Sequence, residues 1–484
     1  MAKLKNIIKQ LSNDDYEQIY KSLADSNAEK SADLLRYMHQ EQLSDAKVME
    51  KLKVNTNAYY TLRSRLNQKI EEHLLAQIES PRTDLLRKVA NINEIVFTKK
   101  RTIAITTLKT LEKQLLDYDL SNELMIVYKT LKKLHVTSPE YFNYSQLYNK
   151  HVAYTLAVDE VESLLADYFK KYGIYSFSDD DTDKMQLSLL MKEVHNKCQM
   201  HASDHSHRLY IYQSCVNIFH RLFVEPDDET LSEDSVEPIE DIFAKVDSYF
   251  QEYEKDTIYF HLNIVFQFLR LEYYNHYKLY RKAEKYFDDV NDSIGSLLSC
   301  YNFYTYPSRF LFTKLERHNR LGTQHEMYEE NKGLFLEFEP DRQNIPQYVT
   351  YVAYRALCCF YAEKYDEAVR WINNLLNDIS LKKYPYVHLE IKLLLAIQYC
   401  ILKDSDLFSQ LMNSIQRQIR LLGKETCIHV VLFSKILKTA NQTNRADRET
   451  KIRGFMDKLK KTYWTGFCLT KYIKLDDDFI KRVL

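Results

Sequence analysis

Glycine and proline are scarce in this chain, which holds 7 Gly and 8 Pro among 484 residues. Average proteins contain about 7% Gly and about 5% Pro. Antiparallel sheets depend on tight turns, and tight turns depend on these two residue types. The common residues are instead Leu, Lys, Glu, Gln and Ala, which are good helix formers. We therefore predict an almost entirely helical, all-α protein.

Charge and helical periodicity divide the chain into segments. Residues 225–241 carry nine carboxylates and no Lys or Arg. A charged, proline-containing stretch of this kind opposes packing, so we predict an acidic loop or linker. Around it, the periodicity predicts an N-terminal helical unit over 1–80, a first helical part over 81–224, repeated helix pairs over 242–462 and a C-terminal tail over 463–484.

The segment YRALCCFYAEKYDEAVRWINNLL, residues 354–376, indicates how the helices are organised. Its apolar helical stripe breaks at Glu363 and resumes around Ala368. A similar phase occurs around Ala283 and near Phe408. Phe408 lies 40 residues after Ala368, and the 85 residues from Ala283 to Ala368 leave room for one intermediate unit around Gln324, so the spacing is about forty residues with one helix pair in each unit. A fixed period in this range is typical of an α-solenoid.

These residues resemble the tetratricopeptide repeat (TPR) family. That family has a small and an aromatic residue in the first helix, a Tyr in the turn, and a small and then a larger apolar residue in the second helix. The matching positions are Ala356, Cys359, Tyr365, Ala368 and Ile372 in the best unit, Ala396 and Tyr399 in the next, and Tyr274, Tyr280, Ala283 and Phe287 in an earlier one. Cys359 replaces the usual aromatic residue, and Leu271 replaces the small residue of the earlier unit. The resemblance implies a right-handed α-α superhelix, a TPR-like solenoid with an N-terminal helical cap.

The resemblance also implies a binding site. Its inner-face positions include Thr350, Leu357, Phe360, Glu390 and Leu393. These residues are mostly apolar, which suits an apolar partner or a groove that the chain fills itself. We therefore expect a non-enzymatic scaffold or adaptor that binds a peptide or a partner protein through a helical-repeat groove.

The positions of the seven glycines argue against nucleotide-dependent chemistry. They are residues 173, 295, 322, 333, 423, 454 and 466, and no two lie within ten residues of each other. Phosphate-binding loops need closely spaced glycines, because the backbone must approach the phosphate without a Cβ. The sequence therefore lacks the motifs of P-loop proteins, dinucleotide-binding proteins and α/β-hydrolases. We expect no catalytic residues, no cofactor and no enzymatic activity.

An N-terminal segment offers an alternative function. Residues 44–74 have the pattern of a helix-turn-helix, with Lys53 in place of the usual turn glycine. The second helix would present Asn57, Arg63, Arg65 and Lys69 to a DNA groove or to phosphates. This segment resembles the DNA-binding end of bacterial regulators, which would make the protein a transcriptional regulator with a solenoid sensor. A helical cap on the first solenoid layer explains the same pattern without DNA.

The best metal candidate in the sequence is the stretch HNKCQMHASDHSHR, residues 195–208. It contains His195, Cys198, His201, His205 and His207, and His or Cys residues one helical turn apart can share a metal ion. The same run also has the pattern of a polar helix end, and no second ligand pair accompanies it. We therefore predict no metal site there, and a metal-dependent enzyme around His195 to His207 is the alternative interpretation.

Further sequence features indicate where in the cell the protein is located. The N-terminus lacks the apolar core of a signal peptide, and no apolar run approaches the roughly 18 residues of a membrane span. The 8 Cys include no CxxC pair. We expect a cytoplasmic protein with reduced thiols and no membrane insertion.

Charge limits the kinds of partner. The net charge of −1 gives no overall bias towards nucleic acid, which is therefore the less favoured partner. Residues 382–461 hold 16 basic and 7 acidic side chains. They form either a solvated helix face or a surface for an acidic partner. That partner could be the 225–241 segment of the same chain or of a second copy, in a homodimer.

Overall fold

The chain is almost wholly helical, as its composition predicts. The structure is a computed structural model that describes all residues except 1–3, 5–7, 9, 10, 12, 27, 41–44, 77–80, 179, 201–206, 226–236, 254–256, 300–303, 443–446 and 463–465. Helices make up 83% of it, and the described residues include no β-strand. The prediction of an all-α fold is confirmed.

The helices follow one another with mostly short connections. Two short 3₁₀ segments, Gln324–Glu326 and Thr470–Tyr472, accompany the α-helices. In chain order the α-helices of the described residues are α1 (Asn13–Asp25), α2 (Glu29–His39), α3 (Asp45–Leu52), α4 (Thr56–Ala76), α5 (Pro81–Ala90), α6 (Ile92–Thr98), α7 (Arg101–Asp117), α8 (Ser121–Leu134), α9 (Glu140–Ser178), α10 (Asp181–Met200), α11 (His207–Phe223), α12 (Ile239–Glu252), α13 (Thr257–His276), α14 (Tyr280–Ser299), α15 (Arg309–Leu321), α16 (Met327–Glu330), α17 (Lys332–Glu337), α18 (Ile345–Tyr361), α19 (Tyr365–Asp378), α20 (Pro385–Leu402), α21 (Ser405–Leu422), α22 (Ile428–Ala440), α23 (Arg448–Lys460) and α24 (Asp477–Val483).

The chain divides into two compact units, residues 1–151 and 152–484, and the division falls within helix α9. In the first unit, α2 packs on α1, α3 and α4 around an apolar cluster that includes the fully buried Leu34 and Ile70. Helices α5 to α8 enclose a second apolar cluster, in which Leu108 is fully buried. Each cluster is small, as expected for a few amphipathic helices that bury one face.

Helix pairs build much of the second unit. Helix α13 packs on α14, α18 on α19, α20 on α21 and α22 on α23, while α20 also contacts α19 and α22. The pair α18–α19 contains the segment with the clearest repeat pattern, and its Ala356, Ala368 and Ile372 are fully buried. Small Ala side chains at such positions let the two helices of a pair approach closely.

Three of these pairs are joined by the same kind of turn. Lys278, Glu363 and Lys403 each adopt a left-handed conformation, with φ of 58°, 59° and 59°. In each turn the next residue donates its backbone N–H to a carbonyl five residues earlier, as Lys364 does to Cys359 over 2.8 Å. This is the geometry of a helix C-terminus that usually ends at glycine. A side chain in this conformation costs roughly 1 kcal/mol, because its Cβ approaches the following carbonyl.

Replacing Lys278 with Gly should therefore raise the free energy of unfolding by about 0.5–1 kcal/mol. The side chain is exposed, so little else changes with it. Lys285, which is also exposed but lies within helix α14, is the matched control. Lys285→Gly should lower the free energy of unfolding by about 0.5–1 kcal/mol, because Gly disfavours a helix interior. Urea denaturation followed by circular dichroism measures both free energies of unfolding. If Lys278→Gly lowers the free energy of unfolding, as Lys285→Gly should, the turn geometry is contradicted.

Helix α20 is apolar enough to satisfy a simple test for membrane spans. Among the described residues it alone is long and apolar enough to cross a membrane, with a mean hydropathy of 1.3. However, 61% of it is buried inside the protein. It lies against α19, α21 and α22, and the core helix of a helical protein satisfies the same test.

Candidate functional site

Residues 466–484, hereafter the C-terminal segment, lie against the helix pairs of the second unit. The segment contains the 3₁₀ turn and the short helix α24, and most of its apolar side chains are buried. The buried ones are Phe467, Cys468, Leu469, Tyr472, Ile473, Phe479, Ile480 and Val483. The segment is therefore packed along its whole length, as a bound peptide would be.

Aromatic contacts hold the segment to three helices. The ring of Phe467 makes an edge contact with Phe177 of α9, with 5.0 Å between the ring centroids. Tyr472 stacks on Phe312 of α15 at 5.0 Å with an interplanar angle of 7°. Phe479 contacts Phe433 of α22 at 5.8 Å. Ring pairs at these distances add about 0.5–1.5 kcal/mol each beyond the area that they bury.

Side chains of the helices also bind the backbone of the segment. The hydroxyl of Tyr361 donates to the carbonyl of Tyr472 over 2.7 Å and accepts from the backbone N–H of Lys474 over 2.9 Å. The same carbonyl accepts from Asn319 Nδ2 at 3.1 Å. Burial raises the pKa of Tyr361 to about 12, so its hydroxyl remains a donor at neutral pH.

The end of the segment is held by two basic side chains. Arg482 donates to the carbonyl of Phe360 over 3.1 Å, and its guanidinium lies 5.6 Å from the centre of the Phe360 ring. It also pairs with Glu363 in the turn after α18, at 3.5 Å. Lys403, in the next such turn, donates to the carbonyl of Val483 over 2.9 Å. Two of the left-handed turns thus contact the C-terminal segment.

Glu390 is the polar centre of this contact surface. Its carboxylate is fully buried, and Oε2 accepts the backbone N–H of Leu469 over 2.9 Å. Oε1 lies 2.7 Å from His429 Nε2, and the Tyr386 hydroxyl lies 2.8 Å from the same nitrogen. A buried carboxylate must have such partners, because an unpaired one would cost several kcal/mol.

The five predicted inner-face residues occupy three kinds of position. Phe360 and Glu390 contact the C-terminal segment directly. Thr350 is buried and lines a cavity of about 100 Å³ together with Phe467, Cys468 and Leu469. Leu357 and Leu393 are fully buried in the apolar core. Sequence reasoning did not identify Tyr361, Asn319, His429 or Arg482 as parts of this surface, because their partners are distant in the chain.

The predicted DNA-binding residues are placed on helix α4 of the first unit. Arg63 is buried and its guanidinium lies 5.7 Å from the Tyr59 ring centre. Lys69 pairs with Glu72 at 3.5 Å, and Arg65 is exposed. The side chain of Asn57 lies outside the described residues. Only part of the predicted set therefore faces solvent, and the DNA-binding alternative stays a prediction.

The residues of the metal candidate at 195–208 lie in separate environments. His195 lies 2.6 Å from the side-chain nitrogen of Gln213, and Cys198 donates to the carbonyl of Leu209 over 3.5 Å. His207 stacks on Tyr253, with 4.0 Å between the rings. His201 and His205 lie outside the described residues. Among the described residues, His195, Cys198 and His207 form no common ligand set.

The second unit is thus an assembly of packed helix pairs whose C-terminal segment lies across several of them. A comparison of the chain with known protein families, with curated proteins and with solved structures finds no match.

Proposed function

We propose that this protein is a non-enzymatic protein-binding module of the TPR-like solenoid type. In this proposal a peptide of a partner protein binds the helix surface that the C-terminal segment covers. The observation that supports it is the seating of that segment, which uses ring contacts and bonds to its backbone rather than a continuous helix–helix interface. Helical-repeat proteins recognise extended peptides by the same combination of contacts.

The C-terminal segment also indicates the chemistry of the partner. Its first part contains the 3₁₀ turn Thr470–Tyr472 and places Phe467, Leu469 and Tyr472 in buried positions. Its second part is the short helix α24, in which Arg482 contacts the turn residue Glu363. A partner segment would need the same order, with apolar and aromatic residues first and a basic residue near the end of a short helix. A second copy of this chain carries such a segment, so a homodimer that exchanges segments is one form of the proposal.

The test begins with a full chain in which residues 462–465 are replaced by a protease site. The chain folds intact and is then cut, so that the segment stays in place only through its contacts. A labelled peptide of residues 466–484 is added, and fluorescence anisotropy measures its exchange onto the cut protein. We expect saturable binding with a Kd of about 1 μM or tighter, typical of a peptide that buries several aromatic and aliphatic anchors.

Two variant peptides make the test specific. Arg482→Ala should weaken binding about 10-fold, because it removes a bond to the Phe360 carbonyl and an ion pair with Glu363. The neighbouring Lys481 is exposed, so Lys481→Ala should leave the affinity within about twofold. Absence of binding, or equal affinities of the two variants, would contradict the proposal. Exchange between uncut copies, seen as a mass of two chains in ultracentrifugation, would identify the homodimeric form.

A further inference from the structure

Three side chains with metal-binding atoms meet where the C-terminal segment crosses helices α20 and α22. They are Glu390 of α20, His429 of α22 and Cys468 of the segment, and one ligand atom from each lies within 4.8 Å of the other two. Their exposed fractions are 0%, 3% and 3%. They come from parts of the chain that are far apart in sequence, so helical periodicity alone does not explain their meeting.

Two oxygen atoms lie within hydrogen-bond distance of the same nitrogen of His429. His429 Nε2 faces both Glu390 Oε1, at 2.7 Å, and the hydroxyl of Tyr386, at 2.8 Å. A ring nitrogen carries either one hydrogen or one lone pair, so it can make one well-aligned bond and must share it with two oxygens. The third group, the thiol of Cys468, lies 3.5 Å from Thr470 Oγ1, and a thiol is a weak hydrogen-bond donor.

We propose that Glu390, His429 and Cys468 bind a divalent transition-metal ion of the zinc class. A thiolate, an imidazole and a carboxylate are the protein ligands that Zn²⁺ prefers, and three protein ligands with one further position is a common zinc arrangement. On binding, the Cys468 thiol gives its proton to solvent, and His429 uses the Nε2 lone pair. Since bonds to Zn²⁺ are about 2.0–2.3 Å long, tetrahedral ligand atoms lie about 3.5 Å apart. Glu390 and His429 would separate by somewhat under 1 Å to admit the ion.

The surroundings provide for a fourth ligand. Tyr386, whose hydroxyl already reaches the His429 nitrogen, could accept this role. A water molecule is the other choice: Cys468 lines the cavity of about 100 Å³, which is large enough for more than one water, whereas Glu390 and His429 are not among its lining residues. Oε2 of Glu390 is held by the Leu469 N–H at 2.9 Å, which fixes the orientation of the carboxylate from its second oxygen.

A metal at this place would join the C-terminal segment to two helices by coordination. The segment would then leave its surface only when the metal leaves. This consequence rests on the proposed function, whereas the metal site itself does not. A protein that binds metal but never binds the 466–484 peptide would retain the site and lose the proposed function.

The experiment uses the full chain and Co²⁺ as a spectroscopic substitute for Zn²⁺. Because the site is buried, the protein is unfolded in guanidinium with reductant, refolded with one equivalent of Co²⁺, and desalted. We expect one Co²⁺ per chain by elemental analysis, together with a near-ultraviolet thiolate-to-cobalt absorption band. We expect Zn²⁺ to displace the Co²⁺ and remove the band, and the metal-loaded chain to melt several degrees above the metal-free chain.

Matched thiol variants identify the site. Cys468→Ser should abolish the thiolate band and weaken binding about 100-fold or more, since loss of even an outer-shell partner costs about 10–100-fold. His429→Gln should weaken binding similarly. Cys198→Ser also removes a buried thiol, from the His195–His207 region, and should leave the band unchanged. Circular dichroism confirms that each variant is helical. A wild-type chain without stoichiometric Co²⁺, or a band that persists in Cys468→Ser and disappears in Cys198→Ser, would overturn the proposal.

Discussion

Replacing Leu393 with alanine is expected to lower the free energy of unfolding by about 3–5 kcal/mol. Leu393 lies in the middle of α20 and its side chain is fully buried. The truncation removes buried apolar surface and leaves a cavity that the neighbouring helices α19, α21 and α22 can fill only in part. Urea denaturation followed by circular dichroism measures the change as a lower midpoint of the transition that includes α20.

The neighbouring helix α21 supplies the control. Leu421 is 86% exposed, so Leu421→Ala should change the free energy of unfolding by less than about 0.5 kcal/mol. A loss below about 1 kcal/mol for Leu393→Ala would mean that this leucine is not packed as the structure describes. The comparison bears on the predicted binding site, because a Leu393 variant that lost partner binding would do so mainly through lost stability.

Replacing Glu272 with glutamine is expected to change how stability depends on pH. Glu272 of α13 is 5% exposed, accepts a hydrogen bond from Thr313, and lies 3.9 Å from Arg309. Burial raises its pKa to about 7 from an ordinary 4.5, although Arg309 and Thr313 oppose this rise. The folded state therefore holds a proton on Glu272 at pH values where the unfolded state has lost it.

The proton on Glu272 in the folded state sets the direction in which stability changes with pH. Between about pH 4.5 and 7 the folded protein binds more protons than the unfolded chain, so this group's contribution to stability falls as the pH rises. Each unit of pKa shift is worth about 1.4 kcal/mol, so the whole loss amounts to about 3 kcal/mol. Glutamine does not titrate. The stability of Glu272→Gln relative to the wild type should therefore improve by about 2–3 kcal/mol between pH 5 and pH 8.

An exposed acid on the partner helix provides the comparison. For Asp288→Asn on α14, the stability relative to the wild type should change by less than about 0.5 kcal/mol between pH 5 and pH 8, because the residue is exposed. Urea titrations at pH 5, 6, 7 and 8 give the free energy of unfolding of all three proteins. If the free energy of unfolding of Glu272→Gln relative to the wild type does not change between pH 5 and pH 8, the pKa of the buried carboxyl is not raised.

Local features of the fold were predictable from the sequence, because they depend on residues close together in the chain. The shortage of Gly and Pro predicted the helices. The break at Glu363 and Lys364 predicted the connection between α18 and α19, where the structure has residues 362–364 between the two helices. The burial of Ala368 followed from the spacing of the apolar stripe. Each of these depends on contacts within one or two helical turns.

The candidate site was predictable only in part, because it depends on contacts between distant residues. The resemblance to the tetratricopeptide repeat family selected Phe360 and Glu390, which do contact the C-terminal segment. In the segment, the partner of Glu390 is Leu469, which is 79 residues away, and the backbone carbonyl of Tyr472 accepts from Asn319 across 153 residues. No periodic pattern marks the stretch before α24, so residues 463–484 were predicted as a tail. The cluster of Glu390, His429 and Cys468 was missed for the same reason, since its members share no local motif.

The large sequence separations at the C-terminal segment have a kinetic consequence. The helix pairs form from contacts over a few tens of residues, and structures with such local contacts form rapidly. The segment can bind only after α15, α18 and α20 are already side by side, because it contacts all three. Closing these long loops costs conformational entropy before the contacts of the segment can form. Docking of the segment would then be a late event in folding, and on the reverse path its release would precede the separation of the helix pairs.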